Sequence, residues 1–221
     1  ITQLVNKNRE AFQSQKEFTE NASHELQTPL AICRSKLELL AQTKELTEQQ
    51  AELVGSLFSG IERISRLNKN LLLLSKIENR QFLEMEEIHL AAVAKKYLDV
   101  YSSQMQERRI QINFSIEDHI SIHANPILLD VLIANLISNA VRHSCEGSTI
   151  TLEGSRDYFM VTNPGEPMKN PDKVFERFNR ESRKEVGNGL GLSIVKKICE
   201  VTGYHLDYHY GNSMHHFKVV F

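Results

Sequence analysis

Along the first 80 residues apolar positions recur at helical intervals. Ala11, Phe18, Ala22, Leu26, Cys33, Leu37 and Leu40 are separated by steps of seven, four and three. Leu57, Ile61, Ile64, Leu67, Leu71 and Leu74 are separated by threes and fours. Both series describe the seam of a helical bundle. The region holds one Pro, two Gly and no strand-like alternation, so two long helices are predicted. The polar stretch Gln42 to Glu48 separates them, and Thr47 is placed to cap the second. Two helices cannot enclose a core. A symmetric dimer forming a four-helix bundle is the economical solution. Packing on the second half of the same chain is the alternative.

Residues 81–87 read as a linker, and the pattern then changes. A helix is predicted over Ala91 to Arg108, followed by a strand over Ile110 to Ile116, where polar and apolar residues alternate. A short strand is expected at Ser121 to Ala124, and a helix from Asn125 to Ser144 with Pro126 suited to its first turn. Strands follow at Ser148 to Gly154 and Tyr158 to Thr162, then a helix over Gly189 to Val201 stopped by Gly203. Tyr204 to Tyr210 and His215 to Phe221 form a final hairpin turning at Gly211-Asn212. Helices and strands mix without a regular βαβ repeat, so the second half is an α+β sandwich. The expected organisation is a dimerising helical domain over 1–80, a linker over 81–87 and a second domain over 88–221.

Composition narrows the partners. The chain has 221 residues, 41% hydrophobic and 24% charged, enough for two small domains with real cores. A net charge of -2 lacks the basic excess of a nucleic-acid binder. The three cysteines lie far apart and form no CxxC pair, which argues against a zinc or dithiol site and suits a reducing compartment. Apolar runs such as Leu71 to Leu74 are far too short to span a bilayer. The chain starts without Met, as a fragment with an upstream part would. Among nine histidines, His205, His209, His215 and His216 crowd the C-terminus, yet no carboxylate or Cys completes a familiar metal spacing.

Four segments carry chemistry. In Ser23-His24-Glu25-Leu26-Gln27-Thr28-Pro29-Leu30, His24 lies off the apolar seam and is expected to face solvent. A neutral imidazole there is a nucleophile, Glu25 can take its proton, and Thr28 shares its face. Pro29 should bend the helix. The string resembles the phospho-acceptor box of the sensor histidine kinases, usually His-Glu-Leu-Arg-Thr-Pro-Leu, with Gln27 in place of Arg. The resemblance implies that His24 is phosphorylated, that Glu25 is the base, and that Thr28 serves a reverse phosphatase reaction.

The other three segments fit the same family. Asn135 and Asn139 are one helical turn apart, their amide oxygens suit Mg²⁺, and Arg142 offers a fork for phosphate. The segment resembles the family's asparagine box. By that resemblance Asn139 and Asn135 hold Mg²⁺, Arg142 touches phosphate and His143 lies beside adenine. In Val161-Thr162-Asn163-Pro164-Gly165-Glu166-Pro167, Asn163 stands where the family has an Asp that accepts from the adenine amino group. Gly165 matches the first glycine of that motif and Pro167 replaces the second. Gly187, Gly189 and Gly191, with Leu190 and Leu192, sit before a helix, where backbone N–H groups and the helix dipole can hold phosphate. They resemble the family's last glycine box. Between them Val174 to Arg180 resembles its phenylalanine box, and Lys169 to Val186 reads as a lid with Arg177, Arg180, Arg183 and Lys184 as phosphate contacts.

The resemblance covers residues 18 to 203. It implies a helical hairpin dimerising into a four-helix bundle, followed by an ATP-binding domain of the Bergerat (GHKL) fold that swings about the linker. It further implies ATP- and Mg²⁺-dependent phosphorylation of His24 and transfer to an aspartate of a response-regulator receiver domain. The expected setting is the cytoplasmic side of a membrane, with an anchor upstream. Alternatives are a GHKL ATPase of another kind, an ATP-binding dimer scaffold without kinase activity, and a member acting mainly as phosphatase.

Overall fold

The computed structural model describes residues 25–43, 46–78, 84–177 and 189–221, with Asn21 and Phe82 besides. The chain divides into two compact units, Ile1–Asn79 and Arg80–Phe221.

In the first unit residues 25–41 are helical (α1), without interruption at Pro29, and Glu48–Glu78 form α2. Thr47 caps α2 as its sequence suggests. Its hydroxyl accepts from Gln50 N at 3.3 Å, and Gln50 Oε1 accepts from Thr47 N at 2.9 Å. The reciprocal pair satisfies two N–H groups at the helix start. Of the expected seam of α2, Leu74 is buried, whereas Leu57, Ile64 and Leu71 are exposed. Leu26 on α1 is exposed too. One hairpin alone offers too few neighbours to cover both stripes.

The second unit opens with β1 (Glu86–His89), which pairs antiparallel with β3 (Ser121–Ala124). This strand takes the last two residues of the expected linker. Instead of one helix over 91–108 there are two, α3 (Leu90–Val100) and α4 (Ser102–Glu107). Tyr101 separates them with φ -97° and ψ 5°, and the Ser102 hydroxyl donates to Asp99 O at 2.7 Å. That local bond competes with continuation of the helix.

The main sheet contains β2 (Gln111–Ser115), β4 (Thr149–Gly154), β5 (Tyr158–Pro164), β6 (His205–Gly211) and β7 (Met214–Val220), in the order β2-β4-β5-β7-β6. Only the β2–β4 pair is parallel. The hairpin turns at Asn212-Ser213, one residue later than expected, with φ 54° and 60°. Two successive positive φ values match the right-handed twist of the strands.

Helix α5 (Pro126–His143) packs on α3, on α6 (Gly191–Thr202) and on β5. Leu128, Leu129, Leu132, Ile133, Leu136 and Ile137 are buried along one side. Full burial of each such side chain is worth about 1.5–3 kcal/mol before entropy is charged against it. Asn125 caps the start: its Oδ1 accepts from Ile127 N at 3.1 Å and Leu128 N at 3.0 Å, and its Nδ2 donates to Glu84 O at 2.7 Å. Arg108 holds the other end, donating to Val141 O at 2.6 Å, to Arg142 O at 3.3 Å and to Ser144 O. A cation there also suits the negative end of the helix dipole. Between α3 and α5, Tyr97 donates to Asp130 at 2.5 Å and Lys96 Nζ lies 2.6 Å from the other carboxylate oxygen.

On α6 burial, reinforced by the Glu200 carboxylate, pushes the Cys199 thiol up to about 12. Thiolate is then negligible at neutral pH. Cys33 and Cys145 are exposed. Brief treatment with iodoacetamide at pH 8 should therefore modify Cys33 and Cys145 and spare Cys199 until denaturant is added. Mass spectrometry of native and unfolded samples checks this.

Candidate nucleotide and phospho-acceptor site

Helix α5 carries the asparagine residues along the edge of its buried face. Asn135 and Asn139 are half-buried, while Arg142 and His143 are exposed in the last two turns. Asn135 Nδ2 donates to Val131 O at 2.8 Å, which fixes the carboxamide and turns Oδ1 outward. Oδ1 then faces the start of α6: a methyl group on Gly191 would lie 2.9 Å from it. Any side chain at 191 would have to displace that oxygen. Arg142 donates to Ser138 Oγ at 3.2 Å and so lies back along its own helix.

The first turn of α6 begins at Gly191. Its cap residue Leu190 contributes no side-chain hydrogen bond, so the leading N–H groups have no partner from that source. They carry the positive end of the dipole. Leu190 is fully buried, Leu192 half-buried, and Gly189 has φ 64°. The helix starts at Gly191, two residues later than expected, because 189 and 190 form the turn before it. Structure thus joins two motifs 56 residues apart in sequence, Asn135 and Gly191.

Asn163 lies within β5, which runs two residues beyond its expected end. It continues the face of Phe159 and Val161 and is 1% exposed. Its Nδ2 donates to Pro164 O at 3.1 Å. Its Oδ1 is the one buried side-chain N or O atom without a hydrogen-bond partner among the described residues. A buried acceptor left unpaired costs on the order of 1–3 kcal/mol, which a ligand donor would recover. Gly165 follows directly, its N–H donating to Ser213 O at 3.1 Å.

The histidines of the C-terminal hairpin divide between the two faces of the sheet, with the rings of His209 and His216 stacked at 5.9 Å on one of them. His205 and His209 are exposed on β6, while on β7 His215 is buried and His216 meets the Thr162 hydroxyl at 3.0 Å on the opposite face. Among the described residues no group of three or more His, Cys, Asp or Glu side chains could hold a metal ion. Amide oxygens of Asn135 and Asn139 are the fitting donors for a hard cation that keeps waters and phosphate oxygens in its shell. Sequence alone does not single out His215, which the fold sets beside Asn163. Its signal was the alternation that puts 215 on the face of Phe217 and Val219.

Glu25 and Thr28 are exposed on α1. His24, Arg180, Arg183, Lys184 and Gly187 lie outside the described residues. Arg177 is exposed at the edge of a cleft of about 240 Å³ that Phe175, Ser193 and Lys197 also line.

Two family models match. Residues 14–80 fit the His Kinase A (phospho-acceptor) domain. Residues 124–219 fit the histidine kinase-, DNA gyrase B- and HSP90-like ATPase. The sensor histidine kinase HprS of Escherichia coli (strain K12) is 34% identical over 99% of this chain and 51% of its own length. The sensor protein QseC of the same strain is 30% identical over 94% of this chain and 47% of its own. The chain thus spans about half the length of the curated relatives it matches. A crystal structure of full-length ShkA in complex with AMPPNP superposes with a TM-score of 0.73 at 22% identity, covering 92% of this chain and 45% of that one. That likeness concerns the fold. With the phospho-acceptor model on the helical unit and the ATPase model on the sheet unit, in that order, the chain belongs to the sensor histidine kinases and comprises their catalytic region.

Proposed function

We propose that the chain transfers the γ-phosphoryl group of ATP to His24 and passes it on to an aspartate of a response-regulator receiver domain. The approach of Asn135 Oδ1 to the first turn of α6 carries this reading. It sets an oxygen ligand beside N–H groups suited to phosphate. The unpaired Asn163 Oδ1 adds an acceptor for the amino group of adenine. A ring nitrogen of His24 bonds to the γ-phosphorus, the bond from that phosphorus to the bridging β-phosphate oxygen breaks, and ADP leaves. Glu25 takes the imidazole proton. Such transfer depends mostly on positioning and on balancing phosphate charge. Asn135 and Asn139 would hold Mg²⁺, whose contribution when bound is neutralisation of the phosphate oxygens. Gly187, Gly189 and Gly191 would cradle phosphate, Arg142, Arg177 and Arg180 would neutralise it, and His143 would flank the base. Thr28 would orient water for the reverse reaction. An anchor outside this chain would hold the whole protein at a membrane; no helix among the described residues is long and apolar enough to cross one.

The test is incubation with γ-labelled ATP and Mg²⁺. The label should be stable in alkali and lost in acid, as a phosphorus–nitrogen bond requires. No label, or acid-stable label, would overturn the reading.

Dimerisation belongs to the same proposal. Leu57 is 56% exposed and Leu71 39%. They lie two heptads apart and share one stripe, which a second copy would cover. Leu57→Arg with Leu71→Arg should convert a dimer to monomer in sedimentation velocity, with helix content retained. A double variant that sediments like the unchanged chain would place the interface elsewhere.

A further inference from the structure

We infer that His215 is a positioning residue of the base end, fixing the Asn163 carboxamide and so setting preference for a 6-aminopurine over a 6-oxopurine. The inference rests on the nucleotide reading above.

His215 is the strand partner of Asn163 across β5 and β7. Its ring is 6% exposed, and Nδ1 meets the Tyr208 hydroxyl at 2.9 Å. Tyr210 packs against it with ring centroids 5.0 Å apart. The imidazole occupies the space where residue 165 would carry a side chain. A methyl on Gly165 would lie 2.6 Å from His215 Nε2 and 2.8 Å from Cδ2. The same hairpin holds the Gly165 backbone, since Tyr210 donates its hydroxyl to Gly165 O at 3.1 Å and Ser213 O accepts from Gly165 N.

The connection to the base is short. Pro164 O, in the peptide that joins Pro164 to Gly165, accepts from Asn163 Nδ2 and thereby aims Oδ1. Tyr208 orients the imidazole, the imidazole fixes Gly165, and Gly165 fixes the carbonyl that orients the amide. Oδ1 accepts only. It therefore favours adenine, which offers an amino hydrogen, over hypoxanthine, which offers an oxygen at that position. If the imidazole is lost, Gly165 can relax and the aim of Oδ1 is lost with it.

The experiment compares binding of ATP and ITP, in Mg²⁺ by calorimetry, to the unchanged chain, His215→Ala, Asn163→Ala and the double variant. Both nucleotides carry one triphosphate and differ in the base. In His215→Ala, ATP affinity should fall by about five- to tenfold, the scale of one misaligned hydrogen bond. ITP affinity should stay within about twofold, which also reports an intact fold. The double variant should bind ATP no worse than Asn163→Ala, because both changes act through one amide. Equal weakening of ATP and ITP, additive losses, or an unchanged chain that does not discriminate would each overturn the inference. If the unchanged chain bound neither nucleotide, the proposed function itself would fail.

Discussion

Replacing His24 with alanine is expected to reduce labelling from γ-labelled ATP to background, a fall of roughly 10³-fold or more, since a nucleophile that forms the covalent product has no substitute. ATP affinity should not change, because the residues proposed to hold nucleotide all lie in the second unit. Alanine is the best helix former, so the variant should also keep its secondary structure. Glu25→Gln provides the contrast: it keeps the nucleophile and removes a base, so labelling should fall by about 10²–10⁴ without vanishing. Labelling of His24→Ala equal to the unchanged chain would show that the phosphoryl group goes elsewhere.

A comparable loss is expected at the nucleotide end from Gly191→Val. A Cβ there meets Asn135 Oδ1 at 2.9 Å. Asn135 cannot swing aside freely, because its Nδ2 is bonded to Val131 O. Either the amide gives up that bond or the first turn of α6 moves away from α5. In both cases the oxygen and the leading N–H groups of α6 no longer face one point. ATP affinity should fall by at least about 100-fold, from loss of several charge-assisted contacts at once. Gly191 is half-exposed and not part of the apolar core, so the melting temperature should shift by only a few degrees. Calorimetry with ATP and a thermal melt by circular dichroism separate the two effects. Retained affinity would mean that phosphate is held away from the α5–α6 junction.

Much of this architecture was legible because local chemistry and global placement agree. Thr47, Pro126 and Gly203 mark helix ends, and each stands where the helices begin or stop. The strands from β2 to β7 alternate strongly enough to be found within one or two residues. The misses are places where a neighbour decides. Glu86-Glu87-Ile88-His89 has no useful alternation, and it is a strand because β3 offers it a ladder. Tyr101 interrupts a run that is helical by composition. Asn163-Pro164 reads as a turn yet remains in β5 because β7 pairs with it as far as Met214. In the site, residue types were legible and their meeting was not. Nothing in the sequence says that position 191 presses on position 135, or that His215 and Gly165 share one space.

The Asn125 carboxamide has a further mechanical meaning. With one end it grips the carbonyl of Glu84, where the chain is about to form β1; with the other it closes the N-terminus of α5. A pull on the chain at Glu84 therefore loads the hydrogen bond to the Asn125 carboxamide first, and through it the first turn of the helix that bears Asn135.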